Sequence, residues 1–168
     1  MELIRGTAHL LGDDINTDYI IASSRKKESL DPLVLKQYLL EAVDPGFAQS
    51  VQPGDLIVAG KNFGCGSAME IAVTVLLAAG IGVVLARSFA RTFYRNAVNN
   101  GLIPVECDTG GVREGDRLSV VLQDGSVFIE DVSRRVRIEG QALPKIMLDI
   151  LSAGGLVPYF RLHHDFYE

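Results

Sequence analysis

The stretch from residue 62 to residue 79 constrains this chain more than any other. It reads Asn-Phe-Gly-Cys-Gly-Ser-Ala-Met-Glu and continues as an apolar segment with no helix breaker before Gly80. A short apolar run at 56–59 comes before it, so the predicted order is strand, glycine-rich turn and buried helix. Glycines at positions 64 and 66 permit a tight turn and a close approach of the backbone to a ligand.

Ser67 is open to two interpretations. Glu70 follows it at the spacing of a capping box, which predicts that Ser67 is the N-cap of a helix at 70–79. Alternatively, the hydroxyl and several backbone amides face a carboxylate or a phosphate, because free amides at a helix start favour an anion. In that case the serine oxygen is available for proton transfer.

The length and charge of the chain exclude several classes of protein. Its 168 residues suffice for one domain with a proper core, and the net charge of −5 with scattered basic residues argues against nucleic-acid binding. The sequence shows neither a signal peptide nor a run of 18 apolar residues. We therefore expect a cytoplasmic protein with no membrane association.

Cysteine usage limits the metal chemistry of this chain. Cys65 and Cys107 are the two cysteines, which fits a reducing compartment. Together with three histidines they cannot build a disulfide framework or a complete zinc or iron–sulfur site. Any metal that this protein works with must be held mostly by another chain.

The predicted fold is one α/β domain over residues 1–168, with a small parallel sheet core and added antiparallel strands. Continuous apolar residues at 81–86 predict a buried parallel strand, which places the 61–67 turn at the ligand-facing edge of the sheet. Asp124-Gly125 predicts a hairpin. We further expect these elements: an edge strand at 2–11, a helix at 32–43, a helix at 89–99 with Ser88 as N-cap, a strand at 102–106 with Pro104 near an edge, a strand at 134–139, a helix at 144–153, and an aromatic tail packed on the body or on a partner.

Two groups of basic residues are ambiguous. Arg25 and Lys26 belong to a charge run that either is solvated or binds an anion. Arg91 and Arg95 lie one helical turn apart. They either grip a partner or a substrate carboxylate, or they are ordinary exposed residues.

Three motifs in this order resemble the family of small subunits of isopropylmalate isomerase (3-isopropylmalate dehydratase). Residues 12–18 resemble the family's Gly-Asp-x-x-x-Thr-Asp signature, residues 62–67 its active-site loop, and residues 87–101 its downstream helix. The resemblance implies the swivelling β/β/α domain, which is also the last domain of aconitase.

The same resemblance implies a hydro-lyase that works with a separate large subunit. There, three cysteines hold a 4Fe-4S cluster that binds the substrate hydroxyl and a carboxylate, whereas this chain binds no cofactor. Carried over, Ser67 is the base that takes a proton as an alkoxide, and the amides around Gly66 and Ala68 stabilise its charge. Asp18 orients groups at the subunit junction, and the neighbouring Thr17 binds the substrate. Arg25 and Lys26 lie in the loop that distinguishes substrates.

The expected substrate is a small dicarboxylate or tricarboxylate of the malate type, first of all isopropylmalate. Related acids of the citramalate, dimethylmalate and homoaconitate types are alternatives. A second alternative for the isolated chain, without its large subunit, is association into a homo-oligomer.

Met69 departs from the family pattern. The family usually reads Gly-Ser-Ser-Arg-Glu-His where this chain has Gly-Ser-Ala-Met-Glu-Ile, and that arginine ordinarily binds a substrate carboxylate in a bidentate manner. Losing such a contact costs on the order of 2–5 kcal/mol. Either Arg25 or Lys26 reaches in, or the substrate presents another group to Met69, or the chain has lost activity.

Two other classes of function remain as rivals. A phosphate-binding module also uses a glycine loop before a helix, but the chain contains neither Gly-Lys-Ser/Thr nor GxGxxG. A non-catalytic assembly subunit is the second rival, and Met69 is the residue that favours it.

Overall fold

Seven strands form one mixed sheet in a computed structural model that describes residues 2–163. The strands are Glu2–Leu10 (β1), Leu56–Ala59 (β2), Val83–Ala86 (β3), Ile103–Glu106 (β4), Arg117–Gln123 (β5), Ser126–Asp131 (β6) and Val136–Gly140 (β7). The α-helices are Thr17–Ile20 (α1), Pro32–Leu35 (α2), Phe47–Ser50 (α3), Ile71–Ala78 (α4), Arg91–Asn100 (α5), Lys145–Ser152 (α6) and Leu156–His163 (α7), with 3-10 helices at Ser23–Lys27 and Lys36–Tyr38.

The sheet has a parallel half and an antiparallel half. Its strand order is β4-β3-β2-β1-β5-β6-β7, with parallel pairing from β1 to β4 and antiparallel pairing from β1 through β7. The predicted parallel core with added antiparallel strands is thus confirmed. The predicted edge position of β1 is wrong, because β1 pairs with β2 on one side and with β5 on the other. Pro104 does lie in an edge strand, where a missing N–H costs no ladder bond.

Apolar side chains cover both faces of the parallel half. Successive residues of a strand point to opposite faces. Ile57 and Ala59 join one buried cluster with α4, whereas Leu56 and Val58 join a second cluster with residues of α5, α6 and α7. Helix α4 is buried as its sequence predicts, and Gly80 after it adopts a left-handed φ of 87°.

Two predicted helices differ from the structure. The helix expected at 32–43 stops at Leu35 and tightens into the 3-10 helix, and Leu40 then takes a positive φ of 55° that no helix continues through. This path buries both Leu39 and Leu40 completely. Ser88 is not an N-cap, because α5 begins later with Ala90 in that position.

The C-terminal third follows the sequence pattern closely. Asp124 and Gly125 both have positive φ, as a type I′ hairpin requires. The strand expected at 134–139 begins at Val136, because Arg135 has a positive φ in the preceding turn. Tyr159 of the aromatic tail is buried in the body, whereas Phe166 and Tyr167 lie outside the described residues. Of the described helices, none combines the length and apolarity needed to span a membrane.

Candidate active site

Three loops meet at the carboxyl ends of the parallel strands. The first loop (11–16) follows β1, the second loop (60–70) follows β2 and the third loop (87–90) follows β3. The Thr17 amide donates to the Cys65 carbonyl at 2.8 Å, and the Ala90 amide donates to the Phe63 carbonyl at 2.9 Å. These backbone bonds join the second loop to its neighbours on both sides.

Side chains strengthen the same junction. The Asn62 amide donates to Ser88 Oγ at 2.8 Å, and Asn62 Nδ2 donates to Asp14 Oδ1 at 2.8 Å. The role of Ser88 is therefore to hold the second loop against the third. An N-cap serine and a loop-tying serine have the same local sequence, so the pattern alone could not separate them.

Gly64 and Gly66 are both required by the path of the second loop. Gly64 has a φ of 79°, and a Cβ there would lie 2.1 Å from the ring of Phe93. Gly66 has a φ of 90°, and a Cβ there would lie 2.5 Å from Asn16 Oδ1. Only glycine tolerates these conformations without strain, so the loop can pack this closely on its neighbours.

Ser67 is exposed at the tip of the second loop. Helix α4 begins at Ile71, four residues after Ser67, with Glu70 as its N-cap residue and no side-chain cap bond. The capping-box interpretation is therefore wrong. Within residues 2–163, the amides of Gly66, Ser67 and Ala68 donate to no protein acceptor, and the Ser67 hydroxyl has no protein partner. The surroundings of Ser67 suit an open anion site.

Thr17 sits directly beneath this serine. Thr17 is only 2% exposed, and its Oγ1 donates to the Ser67 carbonyl at 2.8 Å. The hydroxyl proton of Thr17 is used in this bond. The structure therefore makes Thr17 a positioning residue for the serine backbone.

Asp18 fastens α1 to the 3-10 helix that carries Arg25 and Lys26. Its Oδ1 accepts from the Ser23 hydroxyl at 2.5 Å and from the Ser23 amide at 2.9 Å. These two bonds, with a smaller contribution from the charge of Lys26, lower the pKa of Asp18 below its usual value. Asp18 is thus held as a carboxylate that orders the predicted specificity loop.

The guanidinium of Arg25 is already occupied. Its Nε and Nη2 donate to the two carboxylate oxygens of Glu41 at 2.8 and 2.9 Å, and its Nη1 donates to Glu28 at 2.6 Å. The guanidinium also stacks 3.8 Å over the ring of Tyr38. This arrangement disfavours the prediction that Arg25 binds a substrate carboxylate. Lys26 is exposed and has no hydrogen bond or ion pair with any described residue.

Met69 is turned toward the protein interior. The residue is 6% exposed and belongs to the buried cluster on the α4 face of the sheet. Its sulfur lies 3.4 Å from Ser23 Oγ, next to the Asp18 contact. Met69 therefore provides packing at the position where the family resemblance implies a cationic side chain.

A cavity of about 100 Å³ lies between the second loop and the start of α5. Its lining residues are Thr17, Gly64, Gly66, Ser67, Ala68, Met69, Ala90, Arg91, Thr92, Phe93 and Asn96. Asp18, Arg25 and Lys26 are not among these residues. The helix that lines this cavity together with Ser67 is thus α5. Thr92 and Asn96 were missed by sequence reasoning, although their place beside Arg91 in the third motif could have indicated them.

The side chains that could bind a metal ion do not come together in the part of the chain that the structure describes. Within residues 2–163, no group of three or more His, Cys, Asp and Glu side chains is arranged to hold a metal ion. Burial raises the pKa of the Cys107 thiol to about 11, which keeps it protonated at neutral pH. These residues therefore do not fit an iron–sulfur cluster.

The second loop, with Ser67 at its tip, lies in a stretch that matches a known protein family. The model of the aconitase C-terminal domain matches residues 21–110. The chain belongs to the aconitase C-terminal domain family.

Within that family, the chain belongs with the small subunits of 3-isopropylmalate dehydratase and their relatives. It is 44% identical over 161 residues to the isopropylmalate/citramalate isomerase small subunit of Methanocaldococcus jannaschii, covering 95% of this chain and 94% of the relative. The methanogen homoaconitase small subunit of that organism is 41% identical over 160 residues, covering 95% and 92%. The crystal structure of 3-isopropylmalate dehydratase from M. jannaschii matches with a TM-score of 0.91 at 39% identity, covering 97% of this chain and 96% of that one. The resemblance drawn from the three motifs is confirmed.

Proposed function

We propose that this chain is the small subunit of a two-subunit hydro-lyase that interconverts 2-isopropylmalate and 3-isopropylmalate by dehydration and rehydration. The observation that carries the proposal is the exposed Ser67 hydroxyl, which lies beside unpaired backbone amides on the cavity next to α5. The whole chain acts as one swivelling unit in this proposal.

Ser67 acts as the base in this reaction. A free serine hydroxyl is far too weak an acid to lose its proton at neutral pH, so its alkoxide needs stabilisation. The unpaired amides of the second loop supply it, and their strength increases once water is excluded. Ser67 removes the proton from the carbon next to the leaving hydroxyl and returns it to the neighbouring carbon on rehydration. Thr17 holds the serine backbone in place during both steps.

The site is incomplete on this chain. Pockets that hold small molecules usually enclose about 300–1,000 Å³, whereas the cavity beside Ser67 has about 100 Å³. A second surface must therefore cover the substrate, and we assign it to the large subunit. We also place the 4Fe-4S cluster on that subunit, where it would supply Lewis-acid chemistry at the substrate hydroxyl.

Isopropylmalate is the first choice of substrate because two of the three relatives described above carry it in their names. The names of relatives also include citramalate and homoaconitase, so acids of those types are the alternatives. Isopropylmalate conversion would place the enzyme in leucine biosynthesis, and the proposal places it in the cytoplasm.

A non-catalytic assembly subunit is the second candidate. Met69 is the specific observation in its favour, because its buried thioether cannot bind a carboxylate. In that case the chain would bind the large subunit without completing a working site.

Co-expression with the large subunit of the same organism tests the proposal. The purified complex is assayed without oxygen on 2- and 3-isopropylmalate, citramalate and homoaconitate-type acids, and each subunit is assayed alone as a control. We expect turnover by the complex only. A stable complex with an intact cluster that turns over none of these acids would support the assembly role and overturn the catalytic one.

A further inference from the structure

Arg91 is the cationic side chain that lines the cavity beside Ser67. It is the first residue of α5, and its side chain is exposed. Ser67 and Ala68 of the second loop line the same cavity. Arg91 and Ser67 therefore border the same space on the surface of the chain.

The Arg91 guanidinium has no acceptor within residues 2–163. This distinguishes it from other arginines near the sheet edge. The guanidinium of Arg25 is bound to Glu41 and Glu28, and Nη2 of Arg87 lies 3.5 Å from Oδ1 of Asp108. The planar fork of Arg91 is therefore available for a bidentate contact with an external anion.

The surroundings of Arg91 also favour a negative ligand. Ala90, the N-cap residue of α5, offers no side-chain cap. The amides of Arg91, Thr92 and Phe93 donate to no acceptor in the described part of the chain. Free amides at a helix start carry a partial positive charge that adds to that of the guanidinium. A cavity of about 100 Å³ has room for a carboxylate group but not for a whole hydroxy acid.

Resting on the function proposed above, we infer that Arg91 binds a substrate carboxylate and takes the role that an arginine at position 69 has in the family. Met69 is turned inward, so the contact moves across the cavity to α5. Arg91 of α5 then binds the carboxylate of the substrate, and the reacting carbon lies at Ser67. Arg91 becomes a specificity-determining residue for acids that carry a carboxylate at this place.

Direct binding measurements on the two-subunit complex test this role without relying on turnover. In the Ser67→Ala background, which removes the base but not the cavity, the dissociation constant for 3-isopropylmalate is measured by titration calorimetry. We expect Arg91→Gln in that background to raise the dissociation constant at least about tenfold, the loss that follows when one charge-assisted contact is removed. Arg91→Lys keeps the charge but loses the planar fork of donors. Its dissociation constant should lie between those measured with arginine and with glutamine at this position.

Arg95→Gln is the matched control, because Arg95 lies one turn further along α5 and does not line this cavity. It should leave the dissociation constant unchanged. Equal substrate affinity with arginine and glutamine at position 91 overturns the inference, as does a loss that appears only in the affinity between the subunits. Wild-type turnover by Ser67→Ala alone would instead overturn the proposed base, so the two failures are distinguishable.

Discussion

The hydroxyl of Thr17 donates a 2.8 Å hydrogen bond to the carbonyl oxygen of Ser67. A buried residue at the start of α1 thereby fixes the backbone of an exposed residue on the second loop, fifty positions later in the chain. The two motifs that lie far apart in the sequence meet through this bond. The bond holds the main chain of Ser67 in place and does not involve the Ser67 hydroxyl.

Thr17→Val should weaken this support. Valine keeps the shape of threonine but cannot donate, so the Ser67 carbonyl loses its partner and the free energy of unfolding falls by about 1–2 kcal/mol. We expect kcat of the two-subunit complex to fall more than KM rises, because the serine is displaced from its working position. Thr17→Ser, which keeps the hydroxyl, is the control. If Thr17→Val turned over substrate at the wild-type rate, the positioning role would be refuted.

Gly66→Ala should damage both stability and activity. At a φ of 90° an added Cβ would meet Asn16 Oδ1 at 2.5 Å. The left-handed conformation alone costs an L-residue about 1–2 kcal/mol, and relief of the clash moves the serine next in sequence. Thermal unfolding and steady-state kinetics measure the two effects. Gly82→Ala is the matched control, because a Cβ there meets nothing within 4 Å. Equal melting temperatures for the two variants would contradict this account.

Met69→Ala tests whether Met69 is a packing residue. Truncation of a buried methionine leaves a cavity and costs about 2–5 kcal/mol, whereas Met69→Leu conserves volume and should cost less than about 1.5 kcal/mol. Denaturant unfolding measures both. If Met69→Ala left the free energy of unfolding unchanged, the side chain would not contribute to packing of the core.

Acid should weaken the junction between β1 and the turn before β2 through Asp55. Burial opposes ionisation of this carboxyl, but the hydrogen bond from His9 and those from the amides of Gln52 and Thr7 outweigh it and lower the pKa of Asp55 below its usual value. A carboxyl whose pKa is lower in the folded state stabilises the fold above its unfolded pKa, and this contribution is lost as the pH falls through the folded pKa.

Asp55→Asn should therefore destabilise the protein at neutral pH, and the difference from wild type should shrink as the pH falls below about 4. Urea unfolding at a series of pH values measures this difference. Asp124→Asn at the exposed hairpin tip is the control and should follow the wild-type curve, since asparagine also suits a positive φ. A constant difference between Asp55→Asn and wild type at all pH values would refute the assignment.

The sequence was sufficient to predict the parallel unit and the hairpin region. Continuous apolar residues mark the buried strands, and Asp124-Gly125 permits one kind of turn. The central position of β1 could not be predicted, because its antiparallel partner β5 lies more than a hundred residues later. Local patterns carry no information on such distant pairing.

The tight glycine turn of the second loop could be predicted from the sequence, whereas the contacts around it could not. The glycines of the second loop impose its shape locally, so Ser67 could be recognised as its tip. The capping interpretation was wrong because Ala68 and Met69 continue the loop to Glu70 before α4 begins. The ion pair between Arg25 and Glu41 could not be predicted, so Arg25 was expected at the substrate. Glu41 reaches Arg25 only because the chain passes through a 3-10 helix and a leucine with positive φ, which the sequence pattern did not reveal.

The central claim is that the hydroxyl of Ser67 performs the proton transfer for a site completed by the large subunit. The most direct measurement is kcat of the two-subunit complex carrying Ser67→Ala, with cluster content, subunit affinity and melting temperature measured on the same sample. The account predicts a fall in kcat of about 10²–10⁴-fold, and a free energy of unfolding within about 0.5 kcal/mol of wild type, since the side chain is exposed. Turnover at the wild-type rate by a complex that contains alanine at position 67 would contradict it.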